Sequence, residues 1–171
     1  MTQARSLFNI SIIHHIYHIH HIHHIYSMRL KLDIDELAND FFDNARLLGI
    51  VAPLKGYQLC WQLNNQLRFD FRINNQIEIQ LDKKKRKYFF YVYECPQSYC
   101  ALTHYLYSNH FQGEYLLPEF RHLDFLWLLK GDTVDDAALS DLINGIKKVN
   151  GIQLVTELAH EKIKNKGHLI F

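Results

Sequence analysis

Leu123-Asp124-Phe125-Leu126-Trp127-Leu128-Leu129-Lys130 is apolar on both of its alternating sides, and that property decides the fold. Read as a strand, it sets Leu123, Phe125, Trp127 and Leu129 on one face and Asp124, Leu126, Leu128 and Lys130 on the other. Such a strand belongs in the middle of a sheet that is covered on each face. Downstream, Asp132-Thr133-Val134-Asp135-Asp136 offers a capping residue followed by first-turn acids, which the helix dipole favours. Leu139, Leu142, Ile143, Ile146 and Val149 then recur at helical spacing, so a helix is expected over 133–150, opened at Asp132 and ended by Gly151. Ile152, Leu154, Thr156 and Leu158 alternate as a further strand. Residues 123–158 therefore read as a β-α-β unit, right-handed if its strands are parallel neighbours.

Upstream, Leu59, Leu63 and Leu67 lie four apart with Cys60 on their flank, which predicts a core-facing helix over 57–67, with Pro53 in its first turn. Leu37, Phe41, Phe42, Ala45 and Leu48 suggest another helix over 36–48, ahead of Gly49. Period-two patterns predict strands at 29–34, 68–73 and 77–81, the last two joined as a hairpin across Asn74-Asn75. Strand-like runs follow at 88–94 and 101–107. The expected fold is α+β: a mostly antiparallel sheet of five to seven strands, two main helices packed on one face, and the C-terminal β-α-β unit.

The chain has 171 residues, 48% of them hydrophobic and 22% charged, which suits one domain with a substantial core. Arg5 is the one charged residue before Met28, leaving eighteen basic and eighteen acidic residues from Met28 onward. A neutral body offers no overall field for nucleic acid or an acidic membrane. Cys60, Cys95 and Cys100 are an odd count and make no dense disulfide framework, so a reducing cytoplasm is the expected setting. Residues 95–100 read as a loop with two ordinary thiols, and neither a metal nor another cofactor is expected.

Seven of the twelve histidines fall in His14–Tyr26, interleaved with Ile at every third position from Ile13 to Ile25. A period of three gives no fixed face on a helix or a strand, so these imidazoles have no scaffold on which to hold a metal. Drift in a short A/T-rich DNA repeat accounts for the tract more simply. Residues 1–27 are expected to be a disordered or misassigned extension, with translation starting at Met28 and a single domain spanning 28–171.

Leu117-Pro118-Glu119, three residues, then Leu123-Asp124-Phe125 resembles the signature Ile-Pro-Glu-xxx-Val-Asp-Tyr of the bacterial IPExxxVDY family, small proteins without an established activity. Pro118, Glu119 and Asp124 match outright, and Leu117, Leu123 and Phe125 are conservative departures. Tyr57-Gln58-Leu59-Cys60-Trp61 through Asn64 and the terminal Leu169-Ile170-Phe171 give a similar context. The resemblance spans residues 28–171 and implies a size class but no chemistry.

Chemistry must be argued from side chains. Glu119 and Asp124, with His122 between them, are the candidates for acid-base work in a small hydrolytic enzyme. The plainer reading makes Pro118 a corner, Glu119 an acceptor of backbone or cationic donors, and Asp124 a pin at the strand entrance. Lys83–Lys87 with the aromatics after it is a candidate single-stranded nucleic-acid surface, against a solvated turn that discourages edge pairing. Tyr88, Tyr91, Tyr93, Tyr105 and Tyr107 exceed the needs of one core, so exposed aromatic surface is expected. The leading expectation is a non-catalytic domain that binds a protein partner or associates with itself, with nucleic acid and membrane set aside.

Overall fold

A computed structural model of the chain describes residues 40–83 and 85–171. The strand predicted at 29–34, the histidine tract and Met28 lie outside the described residues. Strand β1 (Arg46–Val51) leads past Pro53 into helix α1 (Gly56–Leu67). Strands β2 (Arg72–Ile73), β3 (Ile79–Lys83), β4 (Arg86–Phe90), β5 (Val92–Pro96) and β6 (Thr103–Ser108) follow. The small hairpin β7 (His110–Phe111) and β8 (Glu114–Tyr115) precedes a 3-10 turn at Pro118–Phe120. Strand β9 (Phe125–Lys130), helix α2 (Asp136–Ile146) and strand β10 (Leu154–Glu157) complete the regular elements, and 3-10 turns at His160–Lys162 and Lys166–Leu169 shape the C-terminal segment. Residues Phe41–Phe171 form one compact unit.

Six strands make the main sheet, in the order β10-β1-β9-β6-β5-β2, with antiparallel pairing throughout. The architecture is α+β, as the patterning predicts. Strand β9 lies between β1 and β6, and all its residues except Lys130 are buried. Each of its fully buried leucines contributes about 1.5–3 kcal/mol. Lys130 ends the strand by donating to the Phe41 carbonyl at 2.7 Å, with its ammonium 4.2 Å above the Phe41 ring. Phe125, Trp127 and Leu129 pack with both helices through Leu59, Leu63, Leu139 and Ile146. Leu126 and Leu128 face the other layer, built from the β3-β4 hairpin, the turn after β8 and the C-terminal segment. Leu123 joins this second layer too, because the chain ahead of β9 is a turn and the strand's alternation does not reach back to it.

Several sequence expectations are corrected. Residues 46–48 begin a strand and do not end a helix: Asn44 takes φ +55, and residues 47–50 are buried in a strand paired with β10 and β9. The hairpin of 68–73 with 77–81 does not form. Arg68 caps α1 in the left-handed region at φ +62, only Arg72–Ile73 is extended, and β2 pairs with β5. Strand β3 pairs instead with β4, across the basic run. The run expected as one strand over 88–94 breaks at Tyr91 into β4 and β5, which lie in different sheets. Pro53 stays outside α1, whose N-cap is Lys55, its N–H donating to Gln58 Oε1 at 2.9 Å. In α2 the cap is Asp135, which accepts from Ala138 N at 2.7 Å, while Asp132 accepts from Ala101 N at 2.9 Å and ties down the approach to β6. The β-α-β unit is split. Its two strands run parallel, but β1 is inserted between them and paired antiparallel to both.

Candidate functional site

The signature corner is built around Asn109, fully buried just after β6. Its backbone N–H donates to the Asp124 carbonyl at 2.9 Å, and its carbonyl accepts from Leu116 N at 2.8 Å. Its side-chain amide donates to the carbonyls of Phe120 at 3.0 Å and Leu123 at 2.9 Å, while Oδ1 accepts from Leu117 N at 2.9 Å. Every polar group of this residue is thus spent on the loop that carries the signature. Sequence reasoning missed it, because Ser108-Asn109-His110 reads as an ordinary polar turn.

Pro118 opens the 3-10 turn and Leu117 ahead of it is fully buried, which holds Glu119 beside the C-terminal segment. Glu119 Oε1 accepts from the backbone N–H groups of Lys164 at 2.8 Å and Asn165 at 3.0 Å, and Oε2 accepts from Asn165 Nδ2 at 2.8 Å. Burial pushes this carboxyl up, but the N–H donors and the Asn165 amide outweigh it and hold the group below its ordinary range. The segment so held carries Ile163 and Leu169 into the core, and Tyr107 O–H donates to the Leu169 carbonyl at 3.2 Å. Tyr107 is itself fully buried, contrary to the surface role expected for it, since β6 is an inner strand covered on both faces. Replacing Glu119 with Gln keeps the size but turns one acceptor into a donor aimed at donors. Glu119→Gln is expected to cost about 1–2 kcal/mol and to speed amide exchange in residues 163–169 before that in β9. Unchanged exchange there would contradict the clamp.

Asp124 extends the β1-β9 ladder past its last backbone pair. Its N–H donates to the Ile50 carbonyl at 2.9 Å, and its Oδ2 accepts from Ala52 N at 2.8 Å. Ala52 is fully buried and precedes a proline, so the carboxylate gives this N–H the acceptor that no further strand residue supplies. Phe125 is buried in the helix-side core. His122 is exposed, with its ring 6.4 Å from that of Phe120. Glu119 therefore reaches the C-terminal segment, Asp124 reaches β1, and His122 points to solvent; the structure does not gather the three around a common cavity.

Other titratable groups lie inside the fold. His104 is buried, accepts from Trp127 Nε1 at 3.0 Å through Nδ1, and is flanked by the Phe69 ring at 5.1 Å. Burial lowers it to about 4. The Cys60 thiol is buried and pushed up to about 12, whereas Cys95 sits within β5 and accepts from Asp70 N. Cys100 is exposed. Among the described residues, no group of three or more His, Cys, Asp or Glu is arranged to hold a metal ion, and no helix is long and apolar enough to cross a membrane.

An open groove of about 330 Å³ lies between the turn after β2 and the bend joining β4 to β5. Ile73, Ile77, Phe89 and Tyr91 line it, and Ile73, Phe89 and Tyr91 are 45%, 42% and 52% exposed. Asn74 shapes one wall: its Oδ1 accepts from Gln76 N at 2.8 Å and Ile77 N at 3.2 Å, closing the turn. Phe69 and Phe71 share a period-two face with Ile73 and pack on Trp127 at 5.2 and 4.9 Å, but the strand runs past the core before Ile73. The basic run closes the β3-β4 hairpin at the end opposite to Ile79 and Phe90, which line the groove; Lys83 pairs with Glu114 at 2.8 Å. Comparison of the chain with protein-family models and with curated proteins finds no match.

Proposed function

We propose that this chain is a non-catalytic, cytoplasmic protein-interaction domain of the IPExxxVDY type, and that the groove lined by Ile73, Ile77, Phe89 and Tyr91 receives its protein partner. One observation carries the reading: three large apolar side chains stand about half exposed together in a concave site. Scattered exposed apolar residues are common on any surface, but a clustered and concave set marks a place where another molecule completes the burial.

The signature supports the same assignment from the other side. Its two acids are occupied in holding backbone donors, so they act as parts of the scaffold and leave no paired carboxylates to perform acid-base chemistry. The free, buried thiols of Cys60 and Cys95 suit a reducing compartment. The family assignment rests on Pro118, Glu119 and Asp124 in their spacing, together with the conservative Leu117, Leu123 and Phe125.

Phe89→Asp tests the reading. As a half-exposed strand residue it should cost at most about 1 kcal/mol of stability, yet a charge in the groove is expected to remove partners that tagged wild-type chain and Glu119→Gln both retain in matched enrichments from the source cells. An unchanged partner set in Phe89→Asp would end the proposal.

A further inference from the structure

We infer that the partner segment is an acidic peptide with an apolar anchor, a statement that rests on the groove reading above and adds the chemistry of what binds. The argument is the order of charge from the exposed hairpin end, through the groove, to the concavity beyond it. Strand β4 alternates, so Tyr88 and Phe90 turn inward while Lys87 and Phe89 face out. Lys85, Arg86 and Lys87 at the hairpin end are all exposed and form no ion pair among the described residues. Asp82 lies opposite Lys87 in the strand register and offsets part of that charge, but the hairpin end remains cationic.

The opposite end has the other sign. Glu78 lines the groove itself, and Asp70, Arg72 and Glu94 line the adjoining concavity of about 620 Å³ that shares the Ile73–Asn75 wall; Arg72 pairs with Asp70 at 2.9 Å and offsets it, so the acidic sign rests on Glu78 and Glu94. The surface therefore runs from cationic through apolar to acidic. A single-stranded nucleic acid carries a phosphate at every nucleotide and would drive negative charge onto Glu78 and Glu94. A peptide can confine its acids to one end. Side chains two residues apart on one face of a strand are about 7 Å apart, so Lys87 meets an acid placed about two residues from an anchor seated at Phe89.

Selection of a random peptide display library on the immobilised full chain, followed by solution affinities of the enriched peptides, tests this. The expected peptides carry a Phe, Leu or Trp anchor with Asp or Glu beside it. They should bind about tenfold more weakly to the Lys85→Glu, Arg86→Glu, Lys87→Glu variant, lose affinity as salt rises, and not bind Phe89→Asp. Enriched anchors without acids, or unchanged affinity for the charge-reversed variant, would overturn the acidic-partner inference and leave the groove reading standing. Absence of any peptide whose binding depends on Phe89 would remove both. An oligothymidylate probe that binds the hairpin as tightly as the selected peptides would overturn the inference in favour of nucleic acid.

Discussion

Asn109→Leu is expected to lower stability by about 3–4 kcal/mol, the largest loss from any single polar side chain of the signature corner. Leucine keeps asparagine's branched four-atom skeleton and removes all of its polar groups, but its methyl groups need more room than the amide, so some overpacking adds to the loss of hydrogen bonds. It leaves Leu117 N–H and the Leu123 carbonyl buried without partners, whereas the Phe120 carbonyl keeps the Leu123 N–H at 2.9 Å. Two orphaned buried groups at about 1–3 kcal/mol each set the magnitude. In a chain of this size that corresponds to a fall in Tm of roughly 10 °C, and denaturant unfolding should show the same loss as a shift in midpoint. A loss below about 1 kcal/mol would mean that the corner is held by its backbone turns alone.

The second large effect is acid destabilisation through His104. Burial lowers its pKa from the ordinary 6.5 to about 4. As pH falls below 6.5 the unfolded chain takes up this proton first, and the folded chain follows only near 4. Stability is therefore fully present above 6.5 and declines down to about 4, where protonation would also oppose the Trp127 N–H. A shift of that size amounts to about 3 kcal/mol. His104→Asn retains an acceptor for Trp127 and removes the titration. Unfolding midpoints measured at several pH values should decline less steeply in this variant between 6.5 and 4. Glu119 acts in a lower window: its folded carboxyl lies below the ordinary 4.5, so its contribution is lost as pH falls beneath that value. Identical slopes in wild type and His104→Asn would contradict the His104 account.

The sheet's centre was legible because one strand carried the decisive property within itself. Apolar residues on both sides of Phe125–Lys130 announce burial on both faces whatever the neighbours are. The helices were legible for a similar reason, since Leu59 and Leu63, or Leu139 and Ile146, show their core face in local spacing. Strand β1 was hidden by an accident of spacing: Phe41, Phe42, Ala45 and Leu48 fall at helical intervals, and the backbone at Asn44 that breaks the series leaves little mark in sequence. Pairing was the least legible layer. Asn74 does make a turn, but β2 found β5 and β3 found β4, a choice made by tertiary burial.

The candidate site shows the same division. Asp124 as a pin at the strand entrance followed from its position, whereas its acceptor role toward Ala52 joins residues 72 apart in sequence. Asn109 serves partners 8, 11 and 14 residues away, and nothing in its own neighbourhood marks it as the hub. In sequence Ile73 continues the alternation of Phe69 and Phe71. Its exposure arises because β2 is a two-residue edge strand, and edge position is a property of the whole sheet.

Site-specific photo-crosslinking in the source cells tests most directly whether the groove or the signature corner is where this protein acts. A photoreactive residue is placed in the full chain either at Phe89 in the groove or at exposed His122 within the signature. The account predicts a defined protein adduct from position 89 and none above background from position 122. An adduct from position 122 with none from position 89 would contradict it.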